Sequence, residues 1–178
     1  MNEEPNLDLA VRELHQAILD CLDRRQVLPS LALLYATIDI LASLERPANR
    51  EATGPKEFKQ WVENYMLLSP LNVTSDDLWG ARCGLLHTFT PSSDKSRAGI
   101  ARELKYVRGD KDYVSFAQKE VDPNCSIQVV VDVDSLVEAF QKGLMAFIQE
   151  IMRNPQKRML VFEHSKKLFV HISYPKPE

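Results

Sequence analysis

The sequence predicts a mainly helical α+β fold, on the basis of three observations. Long segments carry apolar residues at helical spacing, shorter segments carry them at alternate positions, and the 178 residues are 44% apolar. That apolar content is enough for one substantial core. We therefore expect a single domain over 1–178, with a helical core at about 7–90 and 134–153, a strand-rich insertion at about 102–131 and a C-terminal hairpin at about 158–173.

The first part of the chain predicts a pair of helices, at about 7–24 and 30–45. The second of these is apolar nearly all round, which is typical of a central helix covered by its neighbours or by another chain. Asp39 is its only formally charged residue between Leu31 and Leu44. An ionised carboxylate in apolar surroundings is unfavourable unless it is paired. We expect Asp39 to have a cationic partner.

After a third helix at about 56–67, a fourth is opened by the capping sequence 74–77 and broken by 88–91. It carries Arg82 and His87, separated by four residues. A guanidinium can bind a phosphate through two hydrogen bonds and stabilise charge that develops on it, and an imidazole can move protons near neutral pH. The pair is what phosphodiester chemistry without a metal requires.

Both residues also have plainer interpretations. Arg82 shares the inward face of its helix with Leu78 and Leu85, so it is a candidate partner for Asp39, and that pair could be purely structural. His87 could simply bond the last carbonyls of the helix. Residues five apart on a regular helix point in different directions. Arg82 and His87 therefore converge only if the helix end is distorted, as Gly84 permits, or if a twofold dimer brings two such helices together.

Cys83 lies four residues before His87, which allows a nucleophile and base or two zinc ligands. We favour neither, because no Gly-rich elbow surrounds Cys83 and no further ligands lie nearby. The sequence has no P-loop and no dinucleotide-binding glycine run. We expect no metal and no cofactor.

The Arg82–His87 motif and the helix order resemble the HEPN family, whose signature is Arg, four to six residues and His, after a long apolar helix. The resemblance implies a HEPN-like helical bundle that dimerises around its second and fourth helices. It also implies a metal-independent endoribonuclease at a composite dimer site, in which His87 is the general acid or base, Arg82 stabilises the phosphorane and Asp39 orients Arg82. Many active members have Asn, Asp or His where this chain has Cys83.

Members of this family often serve as toxins or in antiviral defence, sometimes beside a nucleotidyltransferase-type antitoxin partner. The resemblance therefore implies an RNA substrate, a homodimer and such a partner. The alternative from another functional class is a non-catalytic HEPN-like dimeric module that binds a protein partner or a nucleotide. An open groove with Arg82 and His87 exposed favours the enzyme, whereas burial of both favours the module.

Charge and targeting signals set further bounds. The formal net charge of -3 argues against a surface coated with basic residues, so any RNA site must be small. Three widely spaced cysteines indicate no disulfide framework. The acidic segment 1–5 is unlike a signal peptide, and no apolar run reaches the length of a membrane span. We expect a cytoplasmic protein with no membrane partner.

The remaining segments predict strands and one long helix. We expect a β-hairpin from 104–107 and 113–116, a strand at 127–131, a helix over 134–153 capped by Asp134, and a second hairpin from 159–162 and 168–172. Together they predict a small antiparallel sheet or two hairpins. The basic cluster Arg153, Lys157 and Arg158 could meet phosphate or could be a solvated helix end.

Overall fold

The structure of the protein, a computed structural model, describes residues 6–50, 53–121 and 127–168. Over these ranges the chain is mainly helical with one small sheet, which confirms the coarse fold class. The element order is α1 (Asn6–Asp23), α2 (Val27–Leu44), α3 (Pro55–Tyr65), a single 3₁₀ turn (Ser69–Leu71), α4 (Ser75–Thr88), α5 (Asp94–Arg97), β1 (Glu103–Val107), α6 (Lys111–Glu120), β2 (Gln128–Asp132), α7 (Val133–Arg153) and α8 (Pro155–Ser165).

Helix α2 is the centre of the helical core, as its apolar composition indicated. It packs against α1, α3, α4, α7 and α8. Its fully buried side chains include Leu31, Leu34, Tyr35, Ile38 and Leu41. On the far side of the core, Trp61 of α3 packs its ring against Phe140 and Phe147 of α7. Aromatic side chains thus pack α3 against α7.

The length and composition of α2 also bear on the expectation that no apolar run is long enough to span a membrane. By length and apolar composition alone that expectation is wrong. The 18 residues Val27–Leu44, with a mean hydropathy of 1.8, form a helix long and apolar enough to cross a membrane. Half of this helix is buried inside the protein. A central helix of a folded core has the same composition.

The sheet differs from the antiparallel arrangement that we expected. Strands β1 and β2 pair in parallel, with Glu103 opposite Gln128 and Val107 opposite Asp132. The expected strand at 104–107 is confirmed and the one at 127–131 is confirmed with a shift of one residue, but the strand at 113–116 is wrong, because these residues lie in α6. Parallel strands need a crossover connection, and α6 lies in that connection.

Local capping explains why α6 forms in place of a hairpin. The Asp110 side chain accepts a hydrogen bond of 2.8 Å from the Tyr113 N–H, which satisfies a free donor in the first turn of the helix.

The expected cap of α7 also needs a correction, because its cap is Asp132 and not Asp134. The Asp132 carboxylate accepts from the Ser135 N–H at 3.0 Å, so the helix follows β2 directly.

The expected C-terminal hairpin at 158–173 is also wrong where it can be compared, because its first half lies in α8. Asn154 ends α7 and caps α8 through a 3.1 Å bond from the Lys157 N–H, and Pro155 occupies the first turn. Val161 is fully buried, and the His164 Nδ1 lies 2.9 Å from the carbonyl of Leu44. The expected second strand lies outside the described residues from 169 onward.

A buried carboxylate fixes the beginning of α4 against the sheet. Asp77 accepts from the Thr74 N–H at 2.9 Å, and the Thr74 hydroxyl accepts from the Asp77 N–H at 3.1 Å. Arg102, just before β1, donates to the same carboxylate from its backbone N–H at 2.7 Å and from Nη2 at 2.6 Å. Burial raises the pKa of Asp77, but the hydrogen bonds from Arg102 and Thr74 outweigh it, so the net pKa lies below its ordinary value.

Asp77→Asn should lower the free energy of unfolding by about 2 kcal/mol near neutral pH, because it removes the charge that Arg102 binds. A carboxyl with a lowered pKa stabilises the fold above its ordinary pKa, and this contribution is lost as the pH falls through the folded pKa. The difference between variant and wild type should therefore shrink in acid. Urea denaturation across a pH series measures it, and a difference that is independent of pH would contradict the assignment.

Candidate functional site

Arg82 joins α4 to α2 through a partly buried ion pair with Asp39. The Arg82 Nε donates to Oδ2 of Asp39 at 2.7 Å, and Nη2 donates to the same oxygen at 2.6 Å. The guanidinium carbon also lies 5.0 Å from the ring centroid of Trp79, one turn earlier on α4. The pair expected between the lone charge of α2 and the inward arginine of α4 is present. Two contacts of different kinds thus fix the plane of the guanidinium.

Because Asp39 is partly buried, its ionised form depends on this ion pair. The Asp39 side chain is 22% exposed and that of Arg82 is 19% exposed. Burial raises the pKa of Asp39 above its ordinary value, while the hydrogen bond and charge of Arg82, with a smaller contribution from His87, act in the opposite direction. The carboxylate therefore depends on Arg82 to stay ionised in its apolar surroundings.

His87 meets the remaining side of the same guanidinium. The Arg82 Nη1 lies 2.9 Å from the His87 Nε2, and the imidazole is exposed. Arginine has donors only, so Nε2 is the acceptor wherever this contact is a hydrogen bond. Arg82 and His87 thus converge within one chain.

The convergence coincides with a distorted end of α4. The N–H groups of Phe89 and Thr90 both bond the carbonyl of Gly84, five and six residues back, where a regular helix bonds four residues back. Phe89 has φ 56, in the left-handed region. A Cβ on Gly84 would overlap the carbonyl oxygen of Thr90. Only glycine lets the returning chain approach this closely, as the sequence suggested.

Cys83 follows Arg82 on α4 and is partly buried. Among the described residues no hydrogen bond joins its thiol to His87, although both lie on the same helix. Neither do 6–50, 53–121 and 127–168 contain any group of three or more His, Cys, Asp or Glu side chains placed to hold a metal ion. The His15 imidazole contacts Gln141 and that of His164 contacts a backbone carbonyl, so both lie in other parts of the structure.

Reasoning from the sequence did not identify the apolar residues that surround the ion pair. The Asp39–Arg82 pair lies in a partly exposed face of α2 and α4 that is otherwise mostly apolar, which we call the α2–α4 face. Its apolar members are Ala32, Leu33, Ala36, Ile40, Trp79, Cys83 and Leu86. The spacing of Trp79, Arg82, Cys83 and Leu86 at i, i+3, i+4 and i+7 is the signal that indicates it.

Searches against protein-family models, curated protein sequences and solved structures find no match to this chain.

A double-mutant cycle on Asp39 and Arg82 tests the energetics of the pair. Arg82→Gln should lower the free energy of unfolding by about 2 to 4 kcal/mol, because it leaves a carboxylate that is 22% exposed without its partner. Asp39→Asn with Arg82→Gln should be less destabilised than the sum of the single variants, by about 1 kcal/mol or more. Denaturant unfolding of the four proteins measures this coupling, and strict additivity would contradict a tight pair.

Proposed function

We propose that this protein is a HEPN-like metal-independent endoribonuclease. The observation that supports the proposal best is the arrangement of Asp39, Arg82 and His87, in which a fixed guanidinium lies 2.9 Å from an exposed imidazole. A pre-oriented cation beside a base is what the cleavage of RNA through its own 2′-hydroxyl requires.

The proposed reaction uses only these side chains and the RNA. The His87 Nε2 takes the proton of a 2′-hydroxyl, whose oxygen attacks the adjacent phosphorus, while the N–H groups of Arg82 stabilise the charge of the phosphorane. The bond from phosphorus to the 5′-oxygen breaks, and the imidazolium that forms on His87 gives its proton to that oxygen. The products are a 2′,3′-cyclic phosphate and a 5′-hydroxyl. Asp39 is a positioning residue that keeps Arg82 in place.

The protein acts as a homodimer in this proposal, with a second copy on the α2–α4 face. The apolar residues of this face surround a single ion pair, so a twofold partner can bury them without leaving an unpaired charge. A twofold contact would place two sets of Arg82 and His87 beside each other. The composite groove of the HEPN resemblance would follow from this contact.

We place the activity in the cytoplasm, as a toxin or defence ribonuclease that a nucleotidyltransferase-type antitoxin restrains. The net charge of -3 limits the RNA contact to a small area around the two motifs.

One observation favours the second candidate, a non-catalytic HEPN-like dimeric module that binds a protein partner or a nucleotide. Asp39, Trp79 and His87 all contact the Arg82 guanidinium, and the lone pair of His87 Nε2 is occupied. In this candidate the motif is structural and the α2–α4 face binds the partner. The exposure of His87 favours the enzyme, whereas Arg82 is only 19% exposed and does not meet the criterion of an open groove.

The test of the enzyme compares wild type, His87→Ala and the control variant His15→Ala on a mixed RNA pool in excess EDTA. Wild type and His15→Ala should generate 2′,3′-cyclic phosphate ends, and His87→Ala should be slower by about 10²-fold or more because it lacks the base. End mapping of the cleaved RNA measures this. Equal cleavage by His87→Ala would refute the assignment, and inactivity of all three proteins on every RNA supplied would favour the module.

The dimer is tested separately with a charge on the α2–α4 face. Wild type should have a solution mass of twice the 20.3 kDa of one chain, and Ile40→Glu should shift it to a single chain, because burying the new carboxylate is unfavourable. Leu9→Glu, at an exposed position on α1, is the control and should remain dimeric. Light scattering after gel filtration measures the mass. A monomeric wild type would exclude the dimer.

A further inference from the structure

A large aromatic side chain lies in solvent beside the Arg82–His87 site. Phe89 follows His87 by two residues, and it is 63% exposed. The Cα atoms of Phe89 and His87 can be no more than about 7 Å apart, because only two peptide units separate them. A single exposed aromatic residue would need no explanation by itself. The backbone of Phe89 supplies the second observation.

Phe89 adopts the left-handed backbone conformation, with a φ of 56°. Helices commonly end with a residue in this conformation, and that residue is usually glycine, because a Cβ is crowded there. A bulky residue with this φ is uncommon. The ring lies mostly in solvent, so burial of apolar surface does not offset the unfavourable backbone. Neither the helix end nor the core accounts for an aromatic residue at this position.

Hydrogen bonds hold the backbone on both sides of the ring. The Phe89 N–H donates to the carbonyl of Gly84. The Thr88 hydroxyl donates to the same carbonyl at 2.9 Å, and the Thr90 hydroxyl donates to the carbonyl of Ser92 at 2.9 Å. The ring is therefore attached to a fixed turn. An aromatic side chain has only two side-chain torsions, so it loses little conformational entropy when it binds a ligand.

The surroundings of the ring fit a nucleobase. Thr88 and Thr90 flank Phe89 in the chain and are both exposed, so the ring has hydroxyl groups beside it. A base has a flat face that can stack on one ring and polar edges that suit such neighbours. In the proposed reaction the phosphate lies at Arg82 and His87, and one ribose separates a phosphate from the base of its own nucleotide. A base attached to that phosphate can therefore reach Phe89.

We propose that Phe89 stacks on the base of the nucleotide at the cleaved phosphate, so that the substrate is single-stranded RNA. A base can stack on a protein ring in this way only where it is unpaired and turned out of a helix. The proposal rests on the proposed ribonuclease function and names the substrate class of the same site. Phe89 binds the base and takes no part in the proton transfers of His87.

Binding tests the proposal without cleavage. The probe is a pool of short single-stranded RNAs with 2′-O-methyl groups, which cannot be cut because the attacking hydroxyl is blocked. Phe89→Gly should bind the pool about tenfold more weakly than wild type, the effect of losing one base stack. Phe89→Trp keeps a stacking surface and should bind as tightly as wild type. Fluorescence anisotropy measures the affinities.

The control variant is Phe116→Ala, which removes a ring of similar exposure, 58%, from α6. Its affinity for the pool should equal that of wild type. Glycine is the residue that the left-handed backbone of Phe89 favours, so Phe89→Gly should fold with an undiminished melting temperature. A thermal melt of each variant checks this.

Cleavage kinetics give a second measurement. On single-stranded RNA, Phe89→Gly should raise KM about tenfold and leave kcat little changed, because the stack stabilises the bound substrate and the transition state equally. Wild type should cut the same sequences poorly when they are paired in a perfect duplex. A fall in kcat with an unchanged KM would assign the ring to the structure of the site and would overturn the proposal.

Four further results would overturn it. They are equal affinity of Phe89→Gly and wild type for the pool, equal weakening by Phe116→Ala, equal cleavage of duplex and single strands, and a change in the solution mass of Phe89→Gly. The last would place the ring in a protein interface. The proposal and the ribonuclease can fail separately. Cleavage by wild type with binding that does not depend on Phe89 refutes the stacking alone, whereas binding through Phe89 without cleavage supports the stacking and refutes the ribonuclease.

Discussion

The ion pair between Asp39 and Arg82 constrains both the core and the surface of this protein. Asp39 lies in the most apolar helix of the chain, and burial acts to neutralise it. A guanidinium is the side chain best suited to hold it ionised, because it donates from two nitrogens at once and does not lose its own charge. Once Nε and Nη2 are committed to Asp39, the planar group has one direction left for Nη1, and His87 lies there. The packing of α2 on α4 therefore sets the geometry of the candidate site.

Contacts at both ends of α4 hold it in the position that this pair requires. Asp77 ties its first turn to the chain before β1 through Arg102. At the other end, the carbonyl of Gly84 accepts hydrogen bonds from the N–H groups of two residues beyond the helix, which brings the returning chain against Gly84.

The sequence was sufficient to predict a structural feature where one physical requirement dominated. A single charge in an apolar helix predicted the Asp39–Arg82 pair, and Gly84 suggested that the helix end could distort. In the strand-rich segments, the direction of the strands and the segments with which they pair could not be predicted in this way. Val114 and Phe116 fit the alternate spacing of a strand, whereas Tyr113 and Phe116 fit the i, i+3 spacing of a helix, and the cap from Asp110 decides between them. The run 159–162 is equally ambiguous, and the burial of Val161 beneath the other helices selects α8.

The bond between Arg82 and His87 has a consequence for how the proposed reaction would begin. In this bond the lone pair of Nε2 is occupied, so His87 is not free to act as a base. A phosphate is a stronger acceptor for Nη1 than a neutral imidazole, because its hydrogen bond with the guanidinium joins opposite charges. A bound phosphodiester would therefore take Nη1 from His87 while Asp39 keeps Nε and Nη2 in place. The released Nε2 would then be close to the same phosphate and its neighbouring 2′-hydroxyl. In the proposed reaction, binding of the substrate would therefore also activate the base.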